Sequence, residues 1–216
     1  GVAGDCATVI PDPALSARDL TALAAIGAAR AVAASRRYVA VGRLASQKNF
    51  GLAVDAFASA ARPGDTLAII GEGGARRQIE ARIKGLGLEA SVRLPGHGAV
   101  MPALADADVF VLSSDYEALP AVVVEALASG LPVVATDCCV SMCSLVGDFG
   151  TVVPRRDAAA LATAMAEQAL LTPAQRASAS AAMEEFTVER SAAVYEALFT
   201  RLSRGRCPEN AILAGY

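Results

Sequence analysis

Short runs rich in Val, Ile and Leu recur along the chain, and most are followed by a longer stretch with helical spacing. The strand candidates are ATVI (7–10), YVAVG (38–42), TLAIIG (66–71), SVRLPG (91–96), DVFVLS (108–113), PVVAT (132–136) and TVVP (151–154). Their apolar character is continuous rather than alternating, as expected of strands covered on both faces by helices, which implies a parallel sheet. Helices are predicted over 17–34, 50–61, 75–86, 99–106, 120–129, 157–171, 173–185 and 188–203. Strand, helix, strand repetition gives right-handed crossovers and a doubly wound α/β architecture.

Several boundaries have local causes. Gly130 stands where a helix can end in the left-handed conformation, and Pro132 then prevents the helix from resuming. Thr172, Pro173 and Gln175 form a capping box with proline in the first turn. With 216 residues, 54% hydrophobic and 19% charged, the chain can bury one core without staples. One domain over 1–204 is expected, followed by a flexible tail over 205–216 that contains Pro208 and Gly215.

The net charge of -3 offers no broad basic field, so nucleic acid is not an expected partner. No apolar run reaches the roughly 18 residues of a membrane span, and residues 1–15 lack a basic start followed by an apolar stretch, so no export signal is expected. Cys6, Cys138, Cys139, Cys143 and Cys207 are an odd set without paired C-x-x-C motifs, which fits reduced thiols in a cytoplasmic protein. The CCVSMC cluster lacks histidine, and His97 is the only one in the chain, so no metal site is expected.

In an open parallel sheet ligands gather beyond the carboxyl ends of the strands, which singles out three loops. In VGRLASQKNF (41–50), Arg43 offers a planar fork of donors and Lys48 a mobile charge, a pair suited to a diphosphate. A solvated basic loop is the alternative. In IIGEGGARRQIE (69–80), Gly71, Gly73 and Gly74 allow close backbone approach to a ligand, although the spacing matches neither a Walker loop nor G-x-G-x-x-G. A tight strand-to-helix turn explains the same glycines.

The third loop is SSDYEALPAVVVEALASG (113–130). Pro120 suits a first helical turn, which leaves Glu117 in the loop and puts Glu125 on the helix. The free N–H groups of Ala121 and Val122 would attract phosphate. Glu125 interrupts an apolar run, where an unpaired charge is costly. One turn away lie Ala121, Ala128 and Ser129, small residues that leave room at the lip of a cleft. There a carboxylate could accept from two ribose hydroxyls; a salt bridge to an arginine is the alternative. Asp115, near Glu117, is expected to raise that residue's pKa by like-charge repulsion. His97 follows the fourth strand, on the same edge, where a loop or packing role is commoner than catalysis.

Taken in order, these loops resemble the carboxyl-terminal half of a GT-B glycosyltransferase of the retaining family 4, or group 1. VGRLASQKNFGLAVDAFA resembles V-G-R-L-x-x-Q-K-x-x-x-x-L-x-x-A-F. IIGEGGARRQIE is similar to I-x-G-x-G-x-x-R-x-x-L-E, and ADADVFVLSSDYEALPAVVVEALASGLPVVATD to the E-x7-E region. The resemblance covers about residues 36–200. It implies a Rossmann-like doubly wound parallel sheet with helices on both faces, one half of a GT-B fold. Arg43 and Lys48 would hold the donor diphosphate and Glu125 the ribose. Glu117, with the backbone of Leu119, Pro120, Ala121 and Val122, would face the transferred sugar as the catalytic site.

By the same resemblance, Gly71 and Gly73 would line the donor site, and Leu94 to His97 would border the base. The family's Gly-Phe-Gly is replaced here by Ala118-Leu119-Pro120, and its Gly-rich stretch after the fifth strand by CCVSMCSLVGDFG. VAGDCATVIPDPAL resembles the segment after the interdomain linker, so an amino-terminal acceptor domain is expected to be absent and the isolated domain inactive. The partners implied are a nucleotide-sugar donor, a substrate rather than a cofactor, and an acceptor that is a glycan, a lipid or a small molecule. Full-length enzymes of this kind often work peripherally at the inner membrane face. Two rivals stay open: a sugar-nucleotide epimerase domain of the same fold, and a non-enzymatic interaction module.

Overall fold

The computed structural model describes residues 8–30 and 34–203. Six parallel strands form one sheet: β1 (Arg37–Val41), β2 (Thr66–Ile70), β3 (Val92–Gly96), β4 (Val109–Leu112), β5 (Val133–Thr136) and β6 (Gly150–Val153), in the spatial order β3-β2-β1-β4-β5-β6. The helices are α1 (Ala17–Ala28), α2 (Phe50–Ala60), α3 (Arg76–Gly85), α4 (Val100–Ala105), α5 (Ala121–Ala128), α6 (Met142–Val146), α7 (Ala158–Glu167), α8 (Pro173–Ala182) and α9 (Val188–Ser203). The expected Rossmann-like doubly wound sheet is therefore present.

Two hydrophobic layers explain the unbroken apolar runs. Tyr38, Ala40, Val109, Val111 and Val134 point to the layer under α2, α3 and α7. Val39, Val41, Phe110, Leu112, Val133 and Ala135 point to the layer under α1, α4 and α5. Central strands must be apolar at every position because each face is covered. The edge strand β3 instead exposes Arg93 and Pro95, and Pro95 has no N–H to miss a partner. Tyr38 keeps its hydroxyl satisfied by donating to the Met165 carbonyl (3.0 Å), and its ring meets Phe57 edge-on at 5.8 Å.

Caps form as expected at several helix ends. Thr172 and Gln175 close a capping box at the start of α8, and Gly130 takes a φ of +69° just after α5. Ser16 and Asp19 build a second box on α1. Arg30, beyond α1, donates to the carbonyls of Ala107, Leu104 and Ser129, which satisfies chain ends that have no helical partner. Burial lowers its pKa to about 10.

Some expectations need correction. Thr8 to Ile10 form no strand, and Ala7 lies outside the described residues. The segment that follows is a strap whose backbone bonds to the turn before α9: Ala14 N–H donates to the Phe186 carbonyl (2.8 Å) and Val188 N–H to the Leu15 carbonyl (2.9 Å). Helix α1 ends at Ala28, with residues 31–33 outside the described set. Helix α7 stops at Glu167, and α8 passes into a 3-10 turn at Met183–Phe186. Helix α6 was not foreseen. The tail over 205–216 lies outside the described residues, and within them no helix is long and apolar enough to cross a membrane.

Candidate functional site

The order of strands reverses between β1, which pairs with β2 on one side, and β4, its neighbour on the other. At such a switch point the loops leaving the two strands diverge and open a crevice at their carboxyl ends. Here those loops carry Arg43 and Lys48 on one side and Glu117 on the other.

Lys48 ends a 3-10 turn (Ser46–Lys48) that Asn49 closes with a left-handed φ of 44°. Its carbonyl accepts from the Ser113 hydroxyl (2.9 Å), and its ammonium reaches Glu117 Oε1 at 2.5 Å. Both side chains are largely shielded, at 18% and 9% exposure. Ser114, itself buried, donates to the same Oε1 (2.7 Å), and Gln47 Nε2 approaches Oε2 at 3.4 Å. The Glu117 N–H donates to the Cys138 carbonyl (2.9 Å). The β1 and β4 loops thus fix this carboxylate, and the loop after β5 anchors its backbone.

Asp115 has partners of its own. Its carboxylate turns to Arg156, whose Nη2 lies at 2.8 Å, and to Asn49 Nδ2 at 3.1 Å, while its N–H donates to the Gln47 carbonyl (2.8 Å). The Arg156 hydrogen bond holds the Asp115 carboxyl below its ordinary pKa. Asp115 therefore clips the β1, β4 and β6 loops together. These clips, with Gln47, Ser113 and Ser114, were missed in the sequence; the polar Ser-Ser-Asp directly after an apolar strand was the available signal.

One hollow borders the loop before α5 and another the middle of that helix. A cleft of about 1010 Å3 is lined by Glu117, Leu119, Asp137, Cys138, Cys139 and Arg155, among others. On the other side, a hollow of about 570 Å3 is lined by Glu125, Asp19, Leu15, Ala99, Val100 and Met101, among others. Glu125 makes no ion pair among the described residues. Burial pushes its carboxyl above the ordinary pKa, and Asp19 adds to the shift. The salt-bridge alternative does not occur among the described residues, and the hollow beside Glu125 is lined by residues of other segments rather than by Ala121, Ala128 or Ser129.

The remaining predicted residues fall around this edge. Arg43 is exposed and pairs with no carboxylate among the described residues. His97 is exposed in the loop that leads to Ala99 and Val100 at the second hollow, and Leu94 gives its carbonyl to Arg76 (2.8 Å). Pro120 is the residue before α5 rather than its first. The Ala121 N–H folds onto the Leu119 carbonyl (3.0 Å), whereas that of Val122 has no backbone partner among the described residues.

Gly71 and Gly73 approach neighbouring protein backbone. A Cβ on Gly71 would lie 1.9 Å from the Gly42 carbonyl oxygen, and one on Gly73 would lie 2.3 Å from that of Leu44. The two loops are laced by Leu44 N–H to the Glu72 carbonyl (2.8 Å) and Ala75 N–H to the Leu44 carbonyl (2.9 Å). These glycines hold the Arg43 loop in place. Of the thiols, burial pushes Cys138 up to about 12, Cys139 is half-buried, and Cys143 is exposed.

Residues 35–169 match the family described as Glycosyl transferases group 1. The amylovoran biosynthesis glycosyltransferase AmsD of Erwinia amylovora is 34% identical over 118 residues, 54% of this chain and 34% of AmsD. The lipopolysaccharide core biosynthesis glycosyltransferase LpsE of Rhizobium meliloti is 36% identical over 99 residues, 45% of this chain and 28% of LpsE. Among solved structures, Anabaena HepE in complex with UDP superposes with a TM-score of 0.68 at 26% identity, over 86% of this chain and 53% of HepE. The chain thus spans about a third of AmsD and about half of HepE. With more than half of its residues in the matched region, the chain belongs to the group 1 glycosyl transferases.

Proposed function

We propose that this chain is the donor-binding half of a retaining glycosyltransferase, which moves a sugar from a nucleotide diphosphate sugar to an acceptor. The observation that carries the reading is the Lys48–Glu117 pair at the β1/β4 switch point, whose Glu117 lines the cleft of about 1010 Å3. Arg43 and Lys48 hold the diphosphate, and the Val122 N–H at the α5 start adds a donor. Glu125 accepts from the ribose, the loop from Leu94 to His97 borders the base, and Glu117 faces the transferred sugar beside Leu119 and Pro120. That HepE was crystallised with UDP supports a nucleotide as the ligand.

Catalysis by such a site comes from positioning the donor and from stabilising charge on the departing diphosphate. That charge is met by Arg43, Lys48 and the start of α5 rather than by a metal ion. An amino-terminal domain supplies the acceptor side, so the chain alone binds donor but does not turn it over. The full-length enzyme acts in the cytoplasm, peripherally at the inner membrane face.

Titration calorimetry with UDP, GDP and ADP tests this reading. One of them should bind, and Arg43→Ala should weaken it by about 1.5–3 kcal/mol, the range for hydrogen bonds to charged groups. An absence of heat with all three at millimolar concentration overturns the donor-site assignment.

A further inference from the structure

The ammonium of Lys48 is already engaged. Glu117 Oε1 lies 2.5 Å from Nζ, and Ser114 holds the same oxygen at 2.7 Å, so the carboxylate cannot swing away without losing two donors. At 9% exposure it is also poorly screened by water. A diphosphate arriving at Lys48 therefore meets a fixed negative charge and competes with it for the cation.

The two forms of ligand differ in what they bring to that carboxylate. A free nucleoside diphosphate ends in a phosphate that carries one more negative charge than a sugar-capped one. The capped form presents hydroxyls in that place, and an ionised carboxylate can only accept hydrogen bonds. Like charges brought together in a shielded site cost binding, whereas donated hydroxyls compensate the carboxylate.

We propose that Glu117, positioned by Ser114 and paired with Lys48, sets the preference of the site for sugar-capped over free nucleoside diphosphates, which also favours release of the spent nucleotide. This rests on the donor-site reading above. Arg43 supplies affinity for either ligand, because among the described residues it pairs with no carboxylate.

The test measures dissociation constants for three pairs, UDP and UDP-glucose, GDP and GDP-mannose, ADP and ADP-glucose, on the 216-residue chain and on its Glu117→Gln variant. A circular dichroism melt accompanies each protein. Glutamine removes the charge and releases Lys48, so the variant should bind the free diphosphate about tenfold more tightly, the change produced by roughly 1.4 kcal/mol, with no such gain for the capped form. In a Lys48→Ala background that gain should shrink, since the competition is for this cation. An unchanged or weaker affinity for the free diphosphate, or an equal gain for both forms, overturns the proposal. If Glu117→Gln does not fold, the wild-type chain decides: the methyl ester of the bound diphosphate should bind more tightly than the free form, and failure to do so overturns the proposal. Failure of the wild type to bind any of the six ligands overturns the donor-site reading itself.

Discussion

Glu125 on α5 and Asp19 on α1 face one hollow, and no cationic side chain among the described residues lines it. Burial and the second carboxylate raise the Glu125 pKa above its unfolded value. For a group shifted upward, the favourable contribution is present below the unfolded pKa and is lost as pH rises through the folded one. At neutral pH Glu125 therefore contributes less to stability than it does in acid.

Glu125→Gln should accordingly raise stability at pH 7 by roughly 0.5–2 kcal/mol, with the gain disappearing at pH values below the ordinary carboxylate range. Urea unfolding at the two pH values measures this. The same variant should weaken nucleotide binding by about 1.5–3 kcal/mol if the carboxylate receives the ribose.

Gly71→Ala should be among the most damaging small substitutions in the chain. The added Cβ would meet the Gly42 carbonyl oxygen at 1.9 Å, at a φ of +146°; one atom is bonded directly to the backbone and the other belongs to it, so neither can step aside. A loss of about 3 kcal/mol or more is expected in thermal unfolding. Gly74→Ala meets nothing within 4 Å and should stay within about 0.5 kcal/mol of the wild type.

Asn49 combines a left-handed φ of 44° with a 3.1 Å bond to Asp115. Asn49→Ala should lose about 1–3 kcal/mol in urea unfolding, from the strained backbone and the broken bond together. Asn49→Gly, which tolerates the conformation, should recover part of that loss.

The thiols should separate by reactivity, because the thiolate is the attacking species. Cys138, buried and pushed up to about 12, should be the last of the three described cysteines to react with N-ethylmaleimide at neutral pH, and exposed Cys143 the first. Peptide mapping over a time course reads the order. Early labelling of Cys138 would mean that the loop carrying it opens.

The strands were legible because burial on both faces leaves no polar position. Val109 to Leu112 and Val133 to Thr136 are buried throughout, and such a run has few readings besides a central parallel strand. The same reasoning misled at ATVI, where a short run such as Thr8 to Ile10 looks the same whether it joins a sheet or precedes a strap against the turn before α9. Helix α6 escaped because only five residues long, from Met142 to Val146, it shows too little of a helical period to be seen.

Sequence by itself determined the doubly wound architecture, the three loops at its carboxyl edge, and the separation of Glu117 from Glu125, since Pro120 divides loop from helix through its own covalent geometry. Local patterning carries such features because they depend on neighbours in the chain. Tertiary structure decided which charges meet. Lys48 and Glu117 are 69 residues apart, and nothing near either one states that the β1 and β4 loops bring them to 2.5 Å. It also decided that Asp115 turns to Arg156 and that the Gly71 and Gly73 turn abuts backbone of the Arg43 loop. Electrostatic and close-packing energies depend on distances through space, and the fold sets those distances only once the sheet has ordered its strands.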